Sequence, residues 1–404
     1  MSAISHRVVL AWEHGGHLGH VTRLSAIAEQ LASQGAKLAW AVPAVWHDRI
    51  RIDNPRATCV VAPRVVVTRP TNGFAVHSFA DVLATFGFAD AATLCAAVSE
   101  WLSLFARLRA TRVVLDYAPI AQLAAFVAGL PAAWITNGFD APPPDCPLFG
   151  IAMRGPMLDR RNNQRLAEID RAISEATNML GRRGGAGLRD IFDHPTRWYD
   201  CIPETDPYGP RSDGIYLGPL GSPHGLVPAS WPVGPAHSRK VLVYLRSRAQ
   251  LALTLDALPP TIARIICVWP GAEPGALESL RRDGVHLYGD PIDLNSLLAQ
   301  CDAVVNYGST GFVCRALLAG KPQLMWPTDV EKRLVSTRVA RLGAGTLVGP
   351  NATPYDLRDG LAELLESGGT GRAAARVSSG HHAPSDIPAA TCRAWLEAEL
   401  KEAG

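Results

Sequence analysis

The sequence predicts an α/β chain of two doubly wound domains in tandem, each a parallel sheet wrapped by helices. Three observations carry this. Short apolar runs alternate with longer helical patterns from residue 8 to about residue 140, the same alternation restarts near residue 240, and a stretch rich in Pro, Gly and Ser, residues 221–238, lies between them. At 404 residues the chain also exceeds what one hydrophobic core sustains, and its 48% apolar and 19% charged content suits a chain that buries large cores.

In the first half, residues 8–11, 38–42, 59–62, 112–115 and 132–136 read as strands. Residues 24–32, 89–109 and 120–128 read as helices, with Gly35 closing the first. Residues 141–215 lose this regularity apart from a polar helical stretch at 158–179. In the second half strands are expected at 240–245, 264–268, 285–287, 303–305 and 322–326, with helices at 250–258, 276–282, 294–299, from 312 to 318 and from 331 to 342. The expected domains are 1–220 and 239–385, joined by the linker 221–238. An amphipathic helix within 386–404 is expected to cross back onto the first domain.

Composition narrows the function. The formal net charge is +2 and no dense basic block is present, which argues against nucleic acid as a partner. The first ten residues lack the charged, apolar and cleavage regions of a signal peptide, so a cytoplasmic protein is expected. Residues 118–136 approach membrane-span length but are interrupted by Gly129 and Pro131, so no transmembrane segment is expected. Eight cysteines without a C-x-x-C pair read as reduced thiols.

The loop after the first strand, Trp12-Glu13-His14-Gly15-Gly16-His17-Leu18-Gly19-His20, falls where open α/β sheets place ligands, with a helix expected to begin near Val21. Histidines 14, 17 and 20 are spaced by three, but flanking glycines and the absence of a Cys or carboxylate cluster set the metal reading aside; no metal and no cofactor is expected. His20 is a candidate general base at neutral pH. Asp116, ending the strand at 112–115, is a candidate partner for its other nitrogen, or equally a cap for the helix that begins near Pro119; spacing alone does not decide. In the second half Asp302-Ala303-Val304-Val305-Asn306-Tyr307-Gly308-Ser309-Thr310-Gly311 runs from a buried strand through a polar turn into a helix. Backbone N–H groups, two hydroxyls and the helix dipole there suit a diphosphate. Arg315, Lys332 and Arg333 are candidates to add charge, and Arg246 and Ser247 follow the first strand of that half.

With these residues in view, the chain resembles the UDP/TDP-glycosyltransferase family. The segment 302–311, then Arg315-Ala316-Leu317-Leu318-Ala319-Gly320-Lys321-Pro322, Pro327 and Arg341-Leu342-Gly343-Ala344-Gly345 are similar to its donor signature in order and spacing. Gly19-His20 resembles its catalytic Gly-His, Asp116 falls at its partner aspartate, and Tyr216-Leu217-Gly218-Pro219-Leu220 is similar to the segment before its linker. The resemblance implies the GT-B fold, two Rossmann-like domains facing each other across a cleft, and inverting transfer from a UDP- or dTDP-type sugar donor. It implies an acceptor of unidentified class, whether small molecule, saccharide or lipid. His20 and Asp116 would be catalytic. Arg246, Ser247, Asp290, Tyr307, Gly308, Ser309, Thr310, Gly311, Arg315, Glu331 and Lys332 would meet the donor, and His17 and Phe139 the acceptor.

Departures from the pattern make the donor crevice more positive. Tyr307 stands for a histidine, Arg315 for the ribose-binding glutamate, Glu331-Lys332 for an Asp-Gln pair, and Arg246 for a small residue. Two alternatives stay open at this point: a nucleotide-sugar epimerase on the same architecture, and a degenerate relative that only binds a nucleotide or a protein. Retention of His20 with Asp116 argues against the second.

Overall fold

The computed structural model describes residues 6–14, 18–64, 76, 78–143, 155–182, 185–221, 226–235, 238–258, 263–366, 368–381 and 386–398. The chain divides into two units, Met1–Asp200 with Arg211–Ser222 and Ser385–Gly404, and Cys201–Pro210 with Pro223–Pro384.

The first unit contains β1 (Arg7–Trp12), α1 (Leu18–Ser33), β2 (Lys37–Val42), α2 (His47–Asp53), β3 (Thr58–Val61), α3 (Phe79–Thr85), α4 (Ala91–Leu108), β4 (Arg112–Asp116), α5 (Pro119–Ala128), β5 (Ala132–Thr136), α6 (Pro156–Met179), α7 (Leu188–Asp193), β6 (Thr196–Tyr199) and β7 (Gly214–Tyr216). Its seven strands pair in parallel in the order β3-β2-β1-β4-β5-β6-β7. β1, β4 and β5 are near-continuous apolar runs because helices cover both faces. Val9, Val113 and Leu115 enter the core with α4 and α5, while Val8, Leu10 and Val114 enter the opposite core with Leu24, Ile27 and Leu31 of α1. Among the described helices, α4 alone is long and apolar enough to cross a membrane by length and composition. Its Leu94, Val98, Trp101, Leu104 and Phe105 are buried in this core. The irregular region of the sequence supplies β6 and β7, too short to read as strands from the sequence; they extend the sheet by two.

The second unit contains β8 (Arg239–Tyr244), α8 (Arg248–Ala257), β9 (Ala263–Val268), α9 (Pro274–Glu278), β10 (Val285–Tyr288), α10 (Leu294–Gln300), β11 (Ala303–Asn306), α11 (Thr310–Leu318), β12 (Gln323–Met325), α12 (Val330–Arg341), β13 (Gly345–Leu347), α13 (Pro354–Glu366) and α14 (Gly369–Gly380). Its six strands are parallel in the order β10-β9-β8-β11-β12-β13. The last helix, α15 (Ile387–Glu397), packs on α1: Cys392, Trp395 and Leu396 join the α1-side core of the first unit, and Trp395 lies against Trp198.

Two segments fall elsewhere than their sequence position suggests. Residues 201–210, assigned from the sequence to the first domain, fold with the second unit, where Thr205 meets Cys314 and Glu204 accepts from His381. The described part of 221–238 beyond residue 222 is tied down rather than free: Val227 N donates to Pro291 O, and the His286 ring donates to Ser230 O.

Candidate active site

In each unit the strand order reverses next to its first strand, and at such a switch point the carboxyl ends of neighbouring strands open a crevice. In the first unit this is where β1 meets β4, with Trp12 beside Asp116 in register. α1 begins earlier than the glycines suggested, at Leu18, so His20 sits in its first turn rather than in the loop. His17 lies outside the described residues.

The His20 Nδ1 is 2.9 Å from Asp116 Oδ1, and the imidazole stacks on Trp12 with ring centroids 4.8 Å apart. Asp116 is fully buried, and its side chain points to His20 and not to the start of α5, which resolves the choice left open by spacing. The α5 start is served by Glu13, whose carboxylate accepts from the N–H groups of Ile120 (3.1 Å) and Ala121 (2.6 Å). Tyr117, directly after Asp116, adopts a left-handed φ of 47°, a costly conformation for a bulky residue and of the kind concentrated at functional sites.

A residue overlooked in the sequence completes this cluster. Arg23, one helical turn beyond His20, donates from Nε to Asp116 Oδ2 at 2.7 Å and from Nη2 to Oδ1, and Nη1 approaches Asp200 Oδ2 at 3.7 Å. The signal was present as the i, i+3 spacing of His20 and Arg23, but only if the helix is known to start by Leu18. Burial alone would raise the Asp116 pKa, yet Arg23 and His20 hold it below the ordinary carboxylate range. Burial works against the Arg23 charge too, but Asp116 outweighs it and raises its pKa. Behind them Asp140 accepts from Trp134 Nε1 (3.2 Å) and from Thr136, and burial raises its pKa. Burial also pushes Glu13 up to about 8 and, with the charge of Arg64, pushes His14 down to about 3. His14 stacks on Phe86 at 3.6 Å, so the described histidines of the 14, 17, 20 triplet have different surroundings. Among the described residues no three His, Cys, Asp or Glu side chains gather as a metal site. Phe139 is part-buried against the α4–α5 core.

In the second unit the switch point lies between β8 and β11, with Tyr244 beside Asn306. Buried Asn306 forms the following turn: its Oδ1 accepts from Gly308 N at 2.8 Å, and its amide donates to Gln323 at 2.9 Å. Gly308 has φ +85°, and a Cβ there would come within 2.6 Å of Ser336 Oγ and 2.9 Å of Lys332 O. Ser309 is the N-cap of α11, and its side chain makes no capping hydrogen bond. A Cβ on Gly311 would meet nothing within 4 Å.

Tyr307 stacks on Tyr244 at 5.6 Å and hydrogen-bonds to it, and the charges of Arg246 and Arg315 both bear on the Tyr244 phenol, although burial is the main cause of its raised pKa. The structure thus gathers Arg246, Tyr307 and Arg315 around one residue the sequence had not singled out. Arg315 Nη1 is also 3.4 Å from Asn295 Oδ1. Lys332 ion-pairs with Asp329 (2.9 Å) and Glu331 (3.5 Å), which against its burial raise its pKa, so Glu331 and Lys332 meet each other. Ser247 caps α8, accepting from Gln250 N at 3.4 Å, and Asp290 is exposed in the turn after β10.

Two parallel-sheet α/β units built in this way define the chain as a GT-B fold. The glycosyltransferase SnogD from Streptomyces nogalater (TM-score 0.63, 21% identity, 97% of this chain and 99% of that one) shares it. So does the calicheamicin glycosyltransferase CalG4 (TM-score 0.72, 19% identity, 97% and 98%). Residues 253–391 match the family described as erythromycin biosynthesis protein CIII-like, C-terminal domain. In sequence the chain is 36% identical over 261 residues to the aclacinomycin-T 2-deoxy-L-fucose transferase of Streptomyces galilaeus, a match over 59% of this chain and 58% of that protein. A structure of the glycosyltransferase VinC in complex with dTDP is also similar (TM-score 0.66, 18% identity, 96% and 98%). The resemblance to nucleotide-sugar glycosyltransferases stands in sequence and in fold, and the epimerase alternative finds no support among these relatives.

Proposed function

We propose that this chain is an inverting glycosyltransferase that moves a sugar from a nucleoside-diphosphate donor, dTDP-linked in preference to UDP-linked, to a hydroxyl of a small-molecule aglycone. The observation that carries the reading is the pairing of His20 Nδ1 with buried Asp116 at the sheet's switch point, which leaves Nε2 to act as a base. The acceptor O–H gives its proton to Nε2, the oxygen forms a bond to the anomeric carbon, and the bond from that carbon to the diphosphate oxygen breaks with inversion. Asp116 balances the imidazolium that forms. The departing diphosphate is assigned to the N-terminal end of α11, at Ser309, Thr310 and Gly311, where the helix dipole favours an anion. The preference for dTDP and for a small aglycone is carried over from the relatives, one bound to dTDP and others named for the natural products they glycosylate.

The test is a thermal-shift comparison of dTDP, UDP and GDP, followed by transfer from the preferred dinucleotide's sugars. A ligand at about 100 times its Kd stabilises by about 2.7 kcal/mol. His20→Ala should then cut turnover about a hundred- to ten-thousand-fold with dTDP affinity kept. Turnover within about twofold of the parent would remove His20 as the base.

A further inference from the structure

Arg23 is placed too closely to be a bystander. Its Nη2 lies 2.8 Å from His20 Nδ1, while Asp116 Oδ1 lies 2.9 Å from the same nitrogen. A guanidinium only donates and a carboxylate only accepts, so Nδ1 cannot satisfy both. With the proton on Nδ1 it donates to Asp116 and the free lone pair is on Nε2. With the proton on Nε2 the lone pair turns inward to Arg23 and the outward nitrogen is no base.

We propose that Arg23 is a positioning residue that shares the Asp116 carboxylate with His20, so that the imidazole is held against a carboxylate already half-neutralised, with its Nε2 lone pair turned outward. A lone aspartate beside histidine favours the imidazolium, which has no lone pair left to take the acceptor proton. The guanidinium opposes that charge from the far side of the same carboxylate. It also fixes both carboxylate oxygens, through Nε to Oδ2 and Nη2 to Oδ1, which orients the edge His20 meets.

The other groups facing this cluster fit the assignment. From α1 and β1 come His20, Arg23 and the neutral ring of Trp12; from the loops after β4, β5 and β6 come Tyr117, Asp140 and Asp200. Asp140 and Asp200 both bear on Arg23, so its charge is retained in spite of burial. The proposal concerns how the base is set and rests on His20 being the base for its kinetic consequence, but not for its direct readout.

That readout is the titration of His20 in the full chain labelled with 13C at histidine Cε1, the resonance assigned by its loss in His20→Gln. In Arg23→Gln the His20 pKa should rise by about one unit or more, and in Arg23→Lys it should return most of the way to the parent value. The acid limb of the kcat/KM profile should move with it. An unchanged His20 pKa in folded Arg23→Gln overturns the proposal. A raised pKa in a protein with no transferase activity upholds it and counts against the glycosyltransferase reading instead. Should Arg23→Gln fail to fold, Asp116→Asn carries the test: the guanidinium then faces the imidazole alone and the pKa should fall below that of free imidazole, about 6.5. A value at or above that overturns the proposal.

Discussion

The two units place their chemistry at the same topological point and build it in opposite ways. At the β1–β4 switch point the polar groups are buried and satisfy one another: Asp116 is shared by His20 and Arg23, and Glu13 closes the start of α5. At the β8–β11 switch point the N-cap residue of the corresponding helix, Ser309, makes no side-chain cap, and the space over Gly311 is open. The difference fits the two tasks proposed for them: a base must be held closely by its own surroundings, whereas an anion site needs room for its ligand.

The glycines of the second site give the sharpest way to break this contrast. Gly308→Ala forces a side chain into φ +85° against Ser336 and the Lys332 carbonyl, and should destabilise the protein by about 1–3 kcal/mol, lowering Tm and abolishing nucleotide binding together. Gly311→Leu points into open space, so Tm should hold while dTDP affinity falls about tenfold or more, about 1.4 kcal/mol. Unchanged dTDP affinity in Gly311→Leu would take the donor away from this helix.

A smaller effect probes the buried character of the first site. Glu13 ionises near 4.3 in the unfolded chain and at about 8 when folded. Between those values only the folded state keeps the proton, so this group's stabilisation is full below about 4.3 and is lost as pH rises through about 8. Above about pH 7 His14 is neutral in both states and does not contribute. Thermal melts at pH 7 and pH 9 should therefore show the parent losing more than Glu13→Gln, by about 2–4 °C for each kcal/mol. Parallel losses in the two proteins would mean that Glu13 is ionised throughout.

The smallest effect belongs to Arg315. Its charge bears on Tyr244, but it stands in the last turn of α11, away from the helix start. Arg315→Glu should weaken dTDP binding by a factor of about five, about 1 kcal/mol. A loss of a hundredfold, read by calorimetry, would make Arg315 a direct donor ligand and the second site as charge-dependent as the first.

What the sequence determined by itself is the pair of parallel sheets and which residues stand at their strand ends. Apolar runs such as Val113-Val114-Leu115 and Val304-Val305, alternating with helical patterns, read as strands covered on both faces, and the residue after such a run then emerges at the carboxyl edge. That is why Asp116 and Tyr307–Gly311 were legible. The tertiary structure alone decided who shares Asp116. Arg23 lies 93 positions away along the chain, and its i, i+3 spacing from His20 does not point to Asp116 until α1 is docked on β1 beside β4. It alone also decided that residues 201–210 fold with the second unit and that Tyr244 gathers Tyr307 and two arginines. Strand and helix identity follow from side-chain periodicity within a few residues, whereas these pairings depend on the order in which strands enter a sheet, which periodicity does not encode.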